Sequence, residues 1–214
     1  FYRLNIHQGE ARKVMTIPYT VTGFKRMKDG RLFLTIRYHL DYSRMAELPE
    51  QEKQALLKKK KEEQDYQIVS EAPYYFDGSG FTNGLRSRLA LWDPKRGTVD
   101  FLTSPTFAVS GLELEAETNQ VVFWGADFTA VKEVKDGLYR LDLVTKTTDC
   151  LIEPGLMKIS FAYWYGEKIL TAMSDGEKYG AGETPKLFLV DPQTKAQTLF
   201  NDNDATFGNA VGTD

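Results

Sequence analysis

The sequence has 214 residues, of which 42% are hydrophobic and 27% charged, proportions typical of an ordinary globular chain. Its 27 basic and 30 acidic residues give a net charge of −3, which disfavours a nucleic-acid-binding protein because that class usually carries a basic surplus. No apolar run approaches the roughly 20 residues that span a bilayer, and no charged-then-apolar leader opens the chain. The single cysteine, Cys150, precludes an internal disulfide. We therefore expect a cytoplasmic protein without a membrane partner.

Four similar segments recur along the chain, and each is a short apolar run that ends in Asp or Asn. They are FYRLN at residues 1–5, LALWD at 89–93, LYRLD at 138–142 and LFLVD at 187–191. A polar turn follows each segment, and nine residues beyond the Asp or Asn every copy returns to an apolar residue. This pattern predicts four β-hairpins.

The spacing of the hairpins indicates a larger repeat. Asp93, Asp142 and Asp191 follow one another at intervals of 49 residues. Two further strand-like runs precede each of the last three hairpins, at residues 20–25 and 31–38, 107–114 and 120–125, and 158–164 and 168–173. Four strands in about 40–50 residues, repeated, are typical of a β-propeller. The sequence therefore predicts an all-β fold made of blades of four antiparallel strands.

The repeat also predicts where each blade begins and ends. The predicted units are the end of one blade (1–17), a blade with an insertion (18–103), two further blades (104–153 and 154–200) and the first strand of another (201–214). These blades do not close a ring, and the chain begins at Phe1. We therefore expect a piece of a larger propeller, cut at both ends, whose open edges favour self-association.

An insertion at about residues 41–79 interrupts the first full blade. Residues 48–64 within it are predicted to form a helix, because Pro49 suits a first turn, acidic residues follow it and lysines stand at the other end. Only residues 55–57 are apolar, so the helix is expected to expose most of its surface. It is either a solvated arm or a contact with a neighbouring domain or subunit.

The long loops are predicted to share one face of the propeller. They span residues 41–86, 127–136 and 174–186, and each joins the second and third strands of its blade. Because strands alternate in direction within a blade, these loops emerge on the same side. A partner or a substrate is expected on this elaborated face.

Residues that carry chemistry are sparse. The chain has no G-x-S-x-G nucleophile elbow, no Gly-rich phosphate loop and no metal-ligand spacing, so no catalytic residue, cofactor or metal is predicted. His7 and His39 are interpreted as structural, and Cys150 as an inert small hydrophobe. Four aromatic side chains of the predicted inner strands are expected to pack between blades: Trp124, Phe161, Tyr163 and Trp164.

The segment EAPYYFDGSGFTNGLRSRL at residues 71–89, which leads into the third strand of a blade, resembles the propeller of prolyl oligopeptidase family serine peptidases. It is most similar to the acylaminoacyl-peptidase and dipeptidyl-peptidase-like branch, and the ending FGNAVGTD at 207–214 resembles the same family. The resemblance implies a propeller that caps a C-terminal α/β-hydrolase domain. In that family the catalytic triad lies in the hydrolase domain, so no catalytic residue carries over to this chain.

Such a propeller restricts entry to an active site by size and helps to position peptide substrates. Arg86 and Arg88 stand at the junction of the longest loop and the following strand, and an arginine fork suits a substrate carboxylate. We therefore predict Arg86 and Arg88 as substrate-binding residues, although arginines at strand starts usually pair with neighbours inside the blade.

Two other functions are consistent with the blades. A stand-alone protein- or ligand-binding propeller accounts for the missing triad equally well, but leaves the passage at residues 80–89 without a reason. A propeller glycosidase or lactonase requires carboxylates or metal ligands on the inner strands. The inner strands here carry mainly apolar or small residues, which speaks against such an enzyme.

Overall fold

The computed structural model describes residues 1–4, 7, 9–45, 48–66, 68–115 and 117–202. Its elements in chain order are β1 (Tyr2–Arg3), β2 (Arg12–Lys13), β3 (Thr20–Arg26), β4 (Leu32–His39), α1 (Glu50–Glu62), β5 (Tyr75–Phe76), β6 (Gly80–Phe81), β7 (Leu85–Asp93), β8 (Thr98–Phe101), β9 (Phe107–Glu115), β10 (Gln120–Asp127), β11 (Gly137–Asp142), β12 (Thr148–Ile152), β13 (Lys158–Tyr165), β14 (Lys168–Ser174), β15 (Lys186–Val190) and β16 (Gln197–Asn201). A short 3-10 helix spans Gly180–Gly182.

The strands form three four-stranded antiparallel sheets, each in the blade order. Sheet 1 is β3-β4-β7-β8, sheet 2 is β9-β10-β11-β12 and sheet 3 is β13-β14-β15-β16. Two small two-stranded sheets, β1-β2 and β5-β6, accompany them. The predicted all-β fold of four-stranded propeller blades is therefore confirmed. The blade boundaries stay a prediction, and Asn5 and the predicted last strand within 201–214 fall largely outside the described residues.

The outer hairpin of each sheet shows why an Asp recurs every 49 residues. The Oδ1 atom of Asp142 accepts hydrogen bonds from the backbone N–H groups of Val144 (2.8 Å) and Thr145 (2.9 Å). Asp93 and Asp191 bind the amides two and three residues ahead in the same way. These backbone hydrogen bonds hold the pKa of the Asp142 carboxyl below its usual value. The repeated Asp is therefore a turn-forming residue.

The fifth position of this turn adopts a left-handed backbone. The N–H of the residue four positions after each Asp donates to the carbonyl of that Asp over 2.8 Å. Glycine occupies the position in sheet 1, at Gly97 (φ +67°), but lysine occupies it in the other two sheets, at Lys146 (φ +60°) and Lys195 (φ +61°). The two lysines hold a conformation that glycine adopts without steric cost.

The chain packs as two compact units. The first comprises Phe1–Ser70 and Tyr74–Thr106, and the second comprises Glu71–Pro73 and Phe107–Asp214. In the first unit, the N-terminal segment brings Phe1, Met15 and Ile17 against one face of sheet 1. The buried side chains of this core are Ile17, Leu32, Leu34, Ile36, Tyr38, Ala90 and Trp92.

The core of the second unit joins sheets 2 and 3. Trp124 and Leu138 of sheet 2 belong to the same buried cluster as Ile169 and Val190 of sheet 3, and Phe161 and Trp164 pack against it. The expected packing role of three of the four aromatic residues is therefore confirmed. Tyr163 is less enclosed: its side chain is 49% exposed and lies beside that of Phe161, with 5.3 Å between the ring centroids.

The predicted charged helix is present as α1, within the 45-residue connection between β4 and β7. Pro49 is its N-cap, acidic residues occupy its first turn, and three lysines occupy its last turn. Eight of its 13 residues are charged and none is buried, so this helix adds no side chain to a buried core. Within the described part of the chain, no helix has the length and apolar character that crossing a membrane requires.

Candidate binding surface on the β4–β7 insertion

The insertion leaves sheet 1 through a turn that His39 organises. The Nδ1 atom of His39 accepts a hydrogen bond from the Asp41 N–H (3.1 Å), and its backbone N–H donates to Ser43 Oγ (2.7 Å). Because Nδ1 is an acceptor, the ring proton lies on Nε2. The imidazole also packs on the ring of Tyr42, with 4.4 Å between centroids. These contacts support the structural role that the sequence analysis gave His39.

Gly84 closes the other end of the insertion beside the same imidazole. Its carbonyl accepts a hydrogen bond from the Leu40 N–H (2.9 Å), and it adopts a φ of +72°. A Cβ atom at this position would lie 3.1 Å from His39 Cε1. Glycine is therefore required here both by the left-handed backbone and by the close approach of the ring.

A cavity of about 330 Å³ lies between the C-terminal half of α1 and the chain on either side of it. Lys59 lies 3.9 Å from Glu63, and the Lys60 ammonium lies 5.1 Å from the centroid of the Tyr42 ring. Burial, followed by the nearby Glu63 and Asp41 carboxylates, raises the pKa of Tyr42. The lining combines charges of both signs with aromatic and amide groups, a composition that suits ligand binding. It contains no pair of side chains of the kind usual in acid–base or nucleophilic catalysis.

The other part of the insertion is an aromatic hairpin, residues 74–85, which contains β5 and β6. Tyr75 pairs with Phe81 across the two strands, and their rings meet edge to face at 5.5 Å. The hairpin is fixed at its base, where the Ser70 N–H donates to Asn83 Oδ1 (2.9 Å). Its four aromatic side chains are between 46% and 52% exposed: Tyr74, Tyr75, Phe76 and Phe81. The sequence analysis treated this stretch only as a family resemblance and missed its exposed aromatic surface.

The structure places Arg86 and Arg88 at the start of β7, where both are buried, with 2% and 4% of their surface exposed. Arg86 donates from Nε to the carbonyl of Thr106 (2.9 Å) and from Nη1 to the carbonyl of Leu85 (2.9 Å). Arg88 donates to the carbonyl of Thr103. Both side chains therefore tie β7 to the segment after β8.

Arg88 also packs on two aromatic rings. Its guanidinium carbon lies 3.9 Å from the centroid of Phe101 and 4.5 Å from that of Tyr38, which satisfies the geometry of cation–π contacts. These rings are those of the sheet 1 core, so the charge sits between blade side chains. The pairing within the blade that the sequence analysis weighed against substrate binding is present, and the substrate role stays a prediction.

A second cavity, of about 520 Å³, lies in the second unit beside the turns of sheets 2 and 3. Arg140, Trp164 and Lys168 line it together with acidic residues, and Arg140 also contacts Asp149 (2.5 Å). Sequence reasoning missed this cavity, because its lining comes from three separate turns that only folding brings together. No motif in the chain marks it.

Groups suited to covalent or metal chemistry are sparse among the described residues. Those residues contain no cluster of three or more His, Cys, Asp or Glu side chains that is arranged to hold a metal ion. Burial, with the Glu153 carboxylate nearby, raises the pKa of the Cys150 thiol to about 11. Since the thiolate is the reactive form, Cys150 is a poor nucleophile at neutral pH, in agreement with its predicted inert role.

The fold therefore defines a class, all-β proteins of the β-propeller type, and comparison with solved structures gives a more particular likeness. The chain is similar to an acylaminoacyl peptidase of Pyrococcus horikoshii, with 17% identity over 89% of this chain and a TM-score of 0.55. It is also similar to an acylaminoacyl peptidase in complex with Z-Gly-Gly-Phe-chloromethyl ketone, with 17% identity over 87% of the chain and a TM-score of 0.53.

In both comparisons the chain spans only 26% of the length of the solved structure. At this identity the likeness establishes a shared fold. No protein-family model matches the chain. No curated protein matches it either.

Proposed function

We propose that this chain is the non-catalytic propeller portion of a serine peptidase of the acylaminoacyl-peptidase type. In this proposal it gates access to a C-terminal α/β-hydrolase domain of the same polypeptide and helps to position peptide substrates. The observation that carries the proposal is the similarity of nearly the whole chain to two acylaminoacyl peptidases. The sequence resemblance of residues 71–89 supports it independently.

The character of the insertion agrees with a gate. It offers a cavity of mixed charge and an exposed aromatic hairpin, both of which are suited to binding. It is also the longest connection on the face where we expect substrates to arrive. In this proposal Arg86 and Arg88, at the base of the insertion, help to bind the substrate. The protein is proposed to be cytoplasmic.

A stand-alone binding propeller is the second candidate, and the cavities of about 330 and 520 Å³ favour it. Both accommodate a small ligand without help from another domain. This candidate differs from the first in requiring no hydrolase in the complete gene product.

The coding region beyond Asp214 tests the proposal. We expect a continuous frame that runs through further blades into a domain with G-x-S-x-G, followed by Asp and then His. A frame that ends without that domain refutes the peptidase assignment and leaves the binding propeller.

The purified chain gives a second test. We expect it to leave acylated and dipeptide amides unhydrolysed, because the proposal assigns the triad to the other domain. Turnover that a serine reagent abolishes in a pure preparation contradicts the proposal. Self-association through open edges stays a prediction, and sedimentation at high concentration measures it.

A further inference from the structure

The aromatic hairpin differs in composition from the rest of the chain. Four of the 12 residues at 74–85 are aromatic and one, Asp77, is charged, whereas aromatic residues make up 13% and charged residues 27% of the whole sequence. Enrichment in aromatic residues and depletion of charge are the features that distinguish the centre of a binding interface from ordinary surface. Neighbouring α1, in the same insertion, has eight charged residues among 13.

Packing of the fold does not account for these aromatic side chains. None of them belongs to the buried cluster of sheet 1, and each keeps about half of its surface in water. Tyr75 and Phe81 lie on one face of the hairpin, and Phe76, the next residue of β5, points to the other. Exposed apolar side chains grouped in this way on a globular protein mark a site of interaction. Two further exposed apolar side chains, Ile68 (57%) and Val69 (43%), precede Ser70, whose N–H donates to Asn83 at the base of the hairpin.

The backbone of the hairpin offers a second recognition element. Sheet β5-β6 has two strands in the part of the chain that the structure describes, so each strand has one side without a strand neighbour. Such a side presents backbone N–H and C=O groups at the spacing of an extended chain. An isolated two-stranded hairpin is only marginally stable in water, and a third strand added at its edge stabilises it.

We propose that residues 74–85 bind an extended peptide segment with uncharged, apolar side chains, which pairs with an edge of the β5–β6 hairpin. The aromatic rings cover the side chains of the bound segment, and backbone hydrogen bonds hold it without regard to its exact sequence. An acidic side chain gains no ion pair on a surface whose one charge is Asp77, and it loses hydration there. This inference rests on the proposed function, because it identifies the class of peptide that the gate admits.

The test measures binding of two fluorescently labelled peptides to the purified chain by fluorescence polarisation. The probes are acetyl-Ser-Phe-Gly-Phe-Ser-amide and the matched peptide with Glu in place of both Phe residues. We expect saturable binding of the Phe peptide and affinity weaker by about tenfold or more for the Glu peptide. Absence of binding of the Phe peptide at millimolar concentration, or equal binding of both probes, overturns the proposal.

Variants localise the site. The double substitution Tyr75→Ser and Phe81→Ser removes the paired rings from an exposed hairpin, and we expect it to weaken binding of the Phe peptide by about tenfold or more. Tyr179→Ser, at a side chain that is 67% exposed in another loop, is the matched control and should leave the affinity within about twofold. Circular dichroism and thermal unfolding verify that each variant is folded. Equal loss in both variants, or no loss in the double variant, contradicts the assignment.

An edge variant separates backbone pairing from simple hydrophobic contact. Tyr75→Pro removes the backbone N–H of β5 that faces away from β6, and Tyr75→Ser is its control for the lost ring. We expect the Pro variant to bind more weakly than the Ser variant. Equal affinities refute edge pairing.

The outcomes also distinguish this inference from the proposed function. Peptide binding without a downstream hydrolase domain refutes the peptidase assignment and keeps the peptide site. A hydrolase domain without peptide binding refutes the site alone.

Discussion

The blades and the insertion between β4 and β7 differ in how much of their side-chain surface is buried. In the blades, buried side chains such as Ile169 and Leu138 are fully enclosed, and the recurring Asp closes each outer hairpin through backbone N–H groups. In the insertion, α1 buries none of its residues and the hairpin exposes its aromatic rings. The blades therefore carry the buried cores, whereas the insertion contributes exposed side chains, which we propose bind a peptide.

The largest expected effect comes from the core shared by sheets 2 and 3. Ile169→Ala should lower the free energy of unfolding by about 3 kcal/mol, because Ile169 is 0% exposed and its truncation leaves a cavity. Leu57→Ala in α1, where the side chain is 40% exposed, should change it by less than about 0.5 kcal/mol. Urea unfolding followed by circular dichroism measures both. Similar losses in the two variants contradict the division between blades and insertion.

A smaller loss is expected where two inner strands approach closely. Gly111 of β9 stands opposite Trp124 of β10, and a Cβ atom on Gly111 would lie 2.1 Å from Cζ2 of the indole. Gly111→Ala should therefore displace the tryptophan and lower the free energy of unfolding by about 2 kcal/mol. Gly182→Ala, which has no atom within 4 Å of the added Cβ, is the control. A neutral result for Gly111→Ala indicates that Trp124 relaxes without cost.

The turn-forming carboxylates supply an intermediate effect that depends on pH. Asp142→Ala should cost about 1 kcal/mol at pH 7, a value reduced for solvent screening because the carboxyl group is largely exposed. The pKa of Asp142 is lowered in the folded state, so its contribution is present above the unfolded-state pKa of 3.8 and is lost as the pH falls through the lower folded-state value. The free energies of unfolding of wild type and Asp142→Ala should therefore converge as the pH falls, which unfolding experiments between pH 7 and pH 2 measure. Asp142→Asn, which keeps an oxygen acceptor, should retain part of the stability, and a pH-independent difference refutes the assignment.

The smallest expected effect is a gain. Lys146→Gly should raise the free energy of unfolding by about 0.5 kcal/mol, because glycine relieves the left-handed backbone at φ +60°. The reciprocal change Gly97→Ala, at φ +67° in sheet 1, should lower it by about 1 kcal/mol. Thermal unfolding of the two variants beside wild type measures the pair. If Lys146→Gly instead lowers the free energy of unfolding, the added flexibility of the unfolded chain outweighs the relief of backbone strain.

The blades were predictable from the sequence because their signals are local. An Asp followed by a polar turn and an apolar return specifies a hairpin within about a dozen residues, and the 49-residue period identifies its partners. The helix was predictable for the same reason, since Pro49 directly precedes its 13 residues and the graded charges lie within them.

The candidate site was not predictable in the same way. The burial of Arg86 depends on a carbonyl group 20 residues further along the chain, and that of Arg88 on one 15 residues further along. Strand pairing brings these groups close. Phe161 and Tyr163 lie side by side on β13 after a bulge between Ile159 and Phe161, yet Phe161 packs against the core and Tyr163 stays half exposed. Neither fact is encoded by residue type alone.

The length of the insertion has a consequence for the order in which the chain folds. The second and third strands of sheet 1 are separated by 45 residues, whereas those of sheets 2 and 3 are separated by 9 and 11. Closing the longer loop costs about 1 kcal/mol more in chain entropy, and contacts between distant residues form late. Backbone amides of sheets 2 and 3 should therefore gain protection from hydrogen exchange before those that pair β4 with β7. The sheet that carries the proposed contact surface is then the last to be completed.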